Sequence, residues 1–188
     1  MFRIFIFILL AFTNESFAQN GIDTAAVKKQ LELIFNRDQK TRTSGDSAEF
    51  RPYIDSCNLA AMEVLIGKYG WMGRSFVGEK GNSTVFLVIQ HADLATQLKY
   101  FPLLEESVKK GESRISNMAL MKDRILMREG KKQVYGSQVV FNKETGAQEF
   151  YPIEDEINVN KRRYEIGMQP LEDYAKLFGI EYKLPVKK

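Results

Sequence analysis

Four polar side chains fall where helical periodicity calls for apolar ones: Asp38, Asn58, His91 and Asp123. Asp38 follows Leu31, Ile34 and Phe35 by seven, four and three residues and so extends their stripe. Asn58 precedes Ala61 and Met62 by three and four residues and opens the inner face of its helix. His91, the only histidine in the chain, has Leu87 and Val88 one turn before it and Leu94, Ala95 and Leu98 after it. Asp123 lies between Ala119 and Leu126 on one flank and Leu120 and Met127 on the other. Unpaired polar groups are costly to bury, so these side chains should meet one another, or meet Gln90, Gln138, Arg162 or Arg163.

Their convergence would build a polar pocket in which His91 is a general acid or base. Asp123 or Asp38 would orient it or share its proton, and an arginine would hold an anionic or carbonyl group. The same groups could instead close on themselves as a network that fixes helix register. On the first reading His91, Asp123 and Asp38 are the catalytic candidates. Asn58, Gln90, Arg124, Gln138, Arg162, Arg163 and Trp71 are the ligand-binding candidates, for a small polar or anionic ligand. Arg124 points away from the inner face unless another element covers it, and Trp71 reads first as a core anchor.

Metal and cofactor signals are sparse. One cysteine and one histidine exclude a Cys/His zinc site, and no metal is expected, although a carboxylate-rich site around His91 stays open. Gly73 and Gly78 have P-loop spacing, but Glu79 stands where the lysine belongs. No nucleotide, flavin or haem motif is present. Cys57 reads as a small buried residue, since nothing in the local sequence activates its thiol.

The elements that must position these residues are mostly helices. Asp23 or Thr24 caps a first helix to about Arg42, and residues 43–52 form a polar loop closed by Pro52. Asp55 or Ser56 caps a second helix ending at Gly70, followed by a glycine-rich folded linker over residues 70–82. Thr84 to Leu98 is read as one helix centred on His91. A buried strand ending at Gln90 is the competing reading. Tyr100 to Lys110 and Ser113 to Glu129 are helical, with Pro102 a kink or a new first turn. Gln133 to Phe141 and Ala147 to Tyr151 alternate as strands of a hairpin, with Gly136 at a bulge or close approach. Two short helices follow, one containing Arg162 and Arg163 and one opened by Pro170. The expected fold is mainly α, a single-domain helical bundle with one β-hairpin toward the C-terminal side.

Residues 1–18 read as a cleavable signal peptide, with Arg3, an apolar run from Ile4 to Phe12, and small residues at Ser16 and Ala18. Residues 19–188 would then be one globular domain, secreted or periplasmic. Cys57 lies too far along the chain to carry a lipoprotein anchor, and no later segment could insert stably in a membrane. The net charge of +3 is spread along the chain, so nucleic acid is not an expected partner.

Taken together, several short motifs resemble an uncharacterised family, domain of unknown function 6624. They are Asp38–Gln39 with Arg42, Asn58, Gly70–Trp71, Val77–Gly78, Gln90 to Asp93, Asp123–Arg124, Tyr135 to Gln138, Pro152 to Asp155, and Arg162–Arg163. Met72 and Ser137 depart from its pattern, where proline and threonine are frequent. The resemblance implies that the inward polar positions belong to one motif set, and it implies no reaction. The functional expectation is a small enzyme using acid/base chemistry of the hydrolase type around His91. The alternative is a non-catalytic cell-envelope module that binds a small polar ligand or a protein.

Overall fold

The computed structural model describes residues 23–43 and 51–185. The expected signal peptide and most of the expected 43–52 loop lie outside these residues. Seven α-helices and one two-stranded sheet are present among them, so the mainly helical fold with a C-terminal hairpin is observed.

Helix α3 (Arg74–His91) is the centre of the bundle, packed on α1 (Thr24–Thr43), α2 (Arg51–Tyr69), α4 (Leu94–Lys109) and α5 (Ile115–Arg128). It takes that place because it is apolar on nearly every side: Val85, Phe86, Val88 and Ile89 are all buried. The partners present ordinary stripes to it, including Val27, Leu31 and Ile34 from α1, Met62, Leu65 and Ile66 from α2, Leu104 from α4 and Ile125 from α5. Each such side chain contributes about 1.5–3 kcal/mol by leaving water. Close approach of α1 and α3 depends on Gly81, where a Cβ would lie 2.8 Å from Val77 Cβ and 3.2 Å from Leu31 Cδ1.

Three local expectations are corrected. First, Thr84 to Leu98 is not one helix: α3 ends at His91, and Asp93 caps α4 by accepting from Thr96 N at 2.8 Å. The break resets the helical phase, so Leu98 is exposed and Gln97 is buried instead. Second, most of the glycine-rich linker is helical. Residues 74–82 belong to α3, which bends at Gly78, whose φ of 78° suits glycine. Third, the first expected strand is strand only from Val139 onward: Val139–Asn142 (β1) pairs antiparallel with Ala147–Phe150 (β2), so that Val139 faces Phe150 and Asn142 faces Ala147.

The segment before β1 is a loop whose amides are claimed by side chains, as described below. Gly136 in it makes the expected close approach: a Cβ there would lie 3.0 Å from both Ile153 and Leu171. After β2 a 3-10 turn (Glu156–Asn158), α6 (Val159–Glu165) and α7 (Leu171–Lys176) enclose a small second core of Ile153, Val159 and Leu171.

Candidate functional site

The C-terminal ends of α1 and α3 and the first turns of α2 meet at one point. Helix α2 starts at Arg51, with Pro52 tolerated in its first turn, so Asp55 is not the cap expected of it. Its carboxylate instead reaches the last turn of α1, where Arg42 Nη2 donates to Asp55 Oδ1 at 2.7 Å. One turn earlier on α1, Asp38 receives Arg42 Nε at 3.2 Å and Nη2 at 3.1 Å, an i,i+4 pair. Gln39 Nε2 adds a third donor to Asp38 at 2.9 Å.

His91, the last residue of α3, completes the cluster. Its Nδ1 lies 3.1 Å from Asp38 Oδ1 and 2.7 Å from Arg42 Nη2. Asp38 is 2% exposed and forms the floor of the site, whereas the side chains of Arg42, Asp55 and His91 are 16–26% exposed. Burial pushes the Asp38 carboxyl up, but hydrogen bonds from His91 and Arg42 outweigh it and hold the group at about 2. The ion pair at the base of the site therefore stays charged throughout the neutral range.

His91 opens onto a cleft of about 380 Å³, lined also by Arg51, Pro52, Asp55, Ser56, Leu59, Ala92 and Asp93. Its Nε2 has no hydrogen-bond partner among the described residues. An apolar groove of about 360 Å³ between α1 and α2, near Leu33 and Val64, contains neither histidine nor acid.

The end of α3 is plugged from the other side. Arg124 and Arg128, one turn apart on α5, donate to the carbonyls of Gln90 and Ala92, which flank His91. Cations at a helix C-terminus satisfy its orphan carbonyls and oppose its dipole. Arg124 is not solvated, as it was expected to be if uncovered, because its Nε also donates to Gln138 Oε1 at 3.0 Å. Burial lowers its guanidinium below the ordinary arginine value, with Arg128 and Arg42 adding like-charge repulsion.

Asp123 does not join this cluster. Its carboxylate accepts the backbone N–H groups of Val134, Tyr135 and Ser137 at 2.7–3.1 Å, closing the loop before β1 around itself. Gln133 Nε2 donates to the carbonyls of Gln138 and Tyr151, and its Oε1 accepts from Gln138 N. Arg163, fully buried, donates to the carbonyls of Tyr135 and Gln169 and lies 4.9 Å over the Tyr174 ring. Arg162 holds the carbonyls of Val134, Glu154 and Asp155. Backbone carbonyls thus take up most of the donors of the arginine pair, while Arg163 Nη2 is buried with no hydrogen-bond partner among the described residues.

Among the ligand-binding candidates, Asn58 is buried one turn along α2 from Asp55, and neither of its amide atoms has a hydrogen-bond partner among the described residues. Trp71 anchors a separate corner, with Nε1 donating to Ser113 Oγ at 3.1 Å. Cys57 is half-buried rather than buried. Arg42 and Asp55 were not among the sequence candidates. Their signals were available: Arg42 stands at i+4 from Asp38, and Asp55 at i−3 from Asn58.

Residues 40–187 match the family of unknown function DUF6624. The chain belongs to this family. No curated protein and no solved structure matches it. In this DUF6624 member Arg42, Asp55 and His91 fall within the matched stretch, and Asp38 lies two residues before it.

Proposed function

We propose that the chain is a small secreted or periplasmic enzyme using acid/base chemistry of the hydrolase type, with His91 as the proton-transferring group. The observation that carries this reading is the placement of one ring: Nδ1 is held by buried Asp38 and by Arg42, while the imidazole lines an open cleft. When Nδ1–H donates to Asp38, Nε2 bears the lone pair and can take a proton from a water or hydroxyl in the cleft. The imidazolium so formed keeps Nδ1–H on Asp38 and can return the Nε2 proton to a leaving group, which restores the neutral ring. Uptake and return of a proton at Nε2 are the two halves of a hydrolytic cycle.

Asp38 stabilises the imidazolium that forms between those halves, and Arg42 holds Asp38 and Asp55 in register. The polar lining of Asp55, Ser56 and Asp93 suits a small polar substrate. Asp123 has no part in the chemistry on this reading, because it is committed to the loop before β1.

The second reading, a non-catalytic module binding a protein, draws support from the apolar groove beside exposed Leu33 and Val64. A panel of ester, amide and phosphoester substrates, assayed with the wild type, His91→Gln and Asp38→Asn, separates the two. Acid/base catalysis predicts a fall in kcat/KM of about 10²–10⁴-fold for His91→Gln. Turnover that His91→Gln leaves at the wild-type value would overturn the reading.

A further inference from the structure

We propose that Asp38, Asp55 and His91 also form a binding site for a divalent transition-metal ion, and that the guanidinium of Arg42 fills this site when no ion is bound. One ligand atom from each residue lies within 4.8 Å of the others, with the acids and the imidazole supplied by three different helices. Arg42 Nη2 sits among them at 2.7 Å from Asp55, 2.7 Å from His91 and 3.1 Å from Asp38. A single positive nitrogen thus occupies the point on which the three lone pairs converge.

The hydrogens cannot be placed there without conflict. Nη2 has two N–H bonds and faces three acceptors. His91 Nδ1 faces both Arg42, which only donates, and Asp38, which as a carboxylate only accepts. With Nδ1 unprotonated, its lone pair confronts Asp38 Oδ1; with Nδ1 protonated, its hydrogen confronts Arg42. A metal cation removes the conflict, because all three atoms then direct lone pairs at one charge with no hydrogen between them. The ligand atoms would close by roughly 0.5–1 Å to reach zinc distances of about 2.0–2.2 Å. Arg42 would swing aside.

A second observation points the same way. Asn58 is 1% exposed, lies one turn along α2 on the face it shares with Asp55, and has neither amide atom hydrogen-bonded among the described residues. A buried amide left in that state calls for an additional polar group on this face of α2, such as an ordered water, and a hydrated ion one turn away at Asp55 would bring one. One imidazole beside two carboxylates suits Zn²⁺ or Mn²⁺ better than Mg²⁺ or Ca²⁺, which favour all-oxygen shells.

The site is the one on which the acid/base reading rests, but ion binding is measured without turnover. An ion on Nδ1 parts the imidazole from Asp38, so Zn²⁺ is expected to inhibit that chemistry. The test is calorimetric titration of the chelator-treated protein with Zn²⁺, together with ¹⁵N spectra of the imidazole, which is unambiguous because the chain has one histidine. Support would be one-to-one binding that shifts Nδ1, weakens at least about 10-fold in Asp55→Asn, and tightens several-fold in Arg42→Gln. Asp55 is partly exposed, so its variant keeps the fold, and circular dichroism checks both. The proposal falls if wild type and Arg42→Gln bind no Zn²⁺, if binding leaves the imidazole signals unmoved, or if Asp55→Asn binds as tightly as wild type. Turnover that rises with bound Zn²⁺ would sustain the ion site and overturn the acid/base reading instead.

Discussion

Two buried aspartates in this protein live in opposite surroundings. Asp123 has its carboxylate wrapped by three backbone N–H groups of one loop, and the elements around it end on backbone carbonyls and amides. Asp38 is bonded by the side chains of Gln39 and Arg42 from its own helix and of His91 from α3, and His91 opens onto solvent. Backbone partners are fixed by the fold, so the Asp123 network has one arrangement. Side-chain partners can rotate, exchange protons or admit a ligand, so the Asp38 network has the freedom to take more than one. What a buried polar cluster bonds, and not how deeply it lies, is what sets these two aspartates apart.

The sharpest break of this contrast is Asp123→Asn. The new amide turns N–H donors toward backbone N–H donors, and a stability loss of about 3–5 kcal/mol is expected in urea unfolding. Amides 134–138 should lose hydrogen-exchange protection with it. A loss below about 1 kcal/mol would remove the distinction between the two aspartates.

Acid should expose the other one. Asp38 is held at about 2 against an ordinary value of 3.8. Its contribution is therefore complete above pH 4 and disappears as pH falls toward 2, a loss of about 2 kcal/mol visible in acid unfolding curves. In Asp38→Asn this part of the pH dependence should vanish.

His91→Gln should cost less, about 1 kcal/mol or below, because the imidazole is partly exposed and Arg42 retains both carboxylates. Near-neutral stability with lost turnover is the signature of a group kept for function. A loss above about 3 kcal/mol would place His91 with Asp123 among the structural residues.

The smallest effect concerns the link between the two regions. Arg124 touches Gln138 on one side and the Gln90 carbonyl on the other. The double variant His91→Gln/Asp123→Asn should depart from additivity by about 0.5 kcal/mol or more in a double-mutant cycle, and Arg124→Met should restore additivity.

Much of this was legible in the sequence because helix stripes repeat faithfully. The inward positions of Asp38, Asn58 and Asp123 follow from their spacing to Ile34, Met62 and Ala119, and each is buried. What escaped were local competitions between side chain and backbone. Asp93 ended a helix whose apolar stripe continued past it, because its carboxylate offered Thr96 N a better partner than another turn did. Residues 133–138 alternate like a strand, yet Asp123 and Gln133 take the amides a ladder would need. Glycine-rich composition hid the helix at 74–82, where Gly78 supplies a bend and Gly81 a close crossing. Arg42 and Asp55 escaped because each was read within its own helix, whereas their meaning arises between helices.

Gly81 has no functional group and lies ten residues from His91, yet it sets how near the axis of α1 runs to that of α3, and those two helices bear Asp38 and His91 at their far ends. A methyl group at this crossing would act as a wedge, levering the two helix ends apart. The distance between Asp38 and His91 is therefore adjustable from afar, through helix spacing alone.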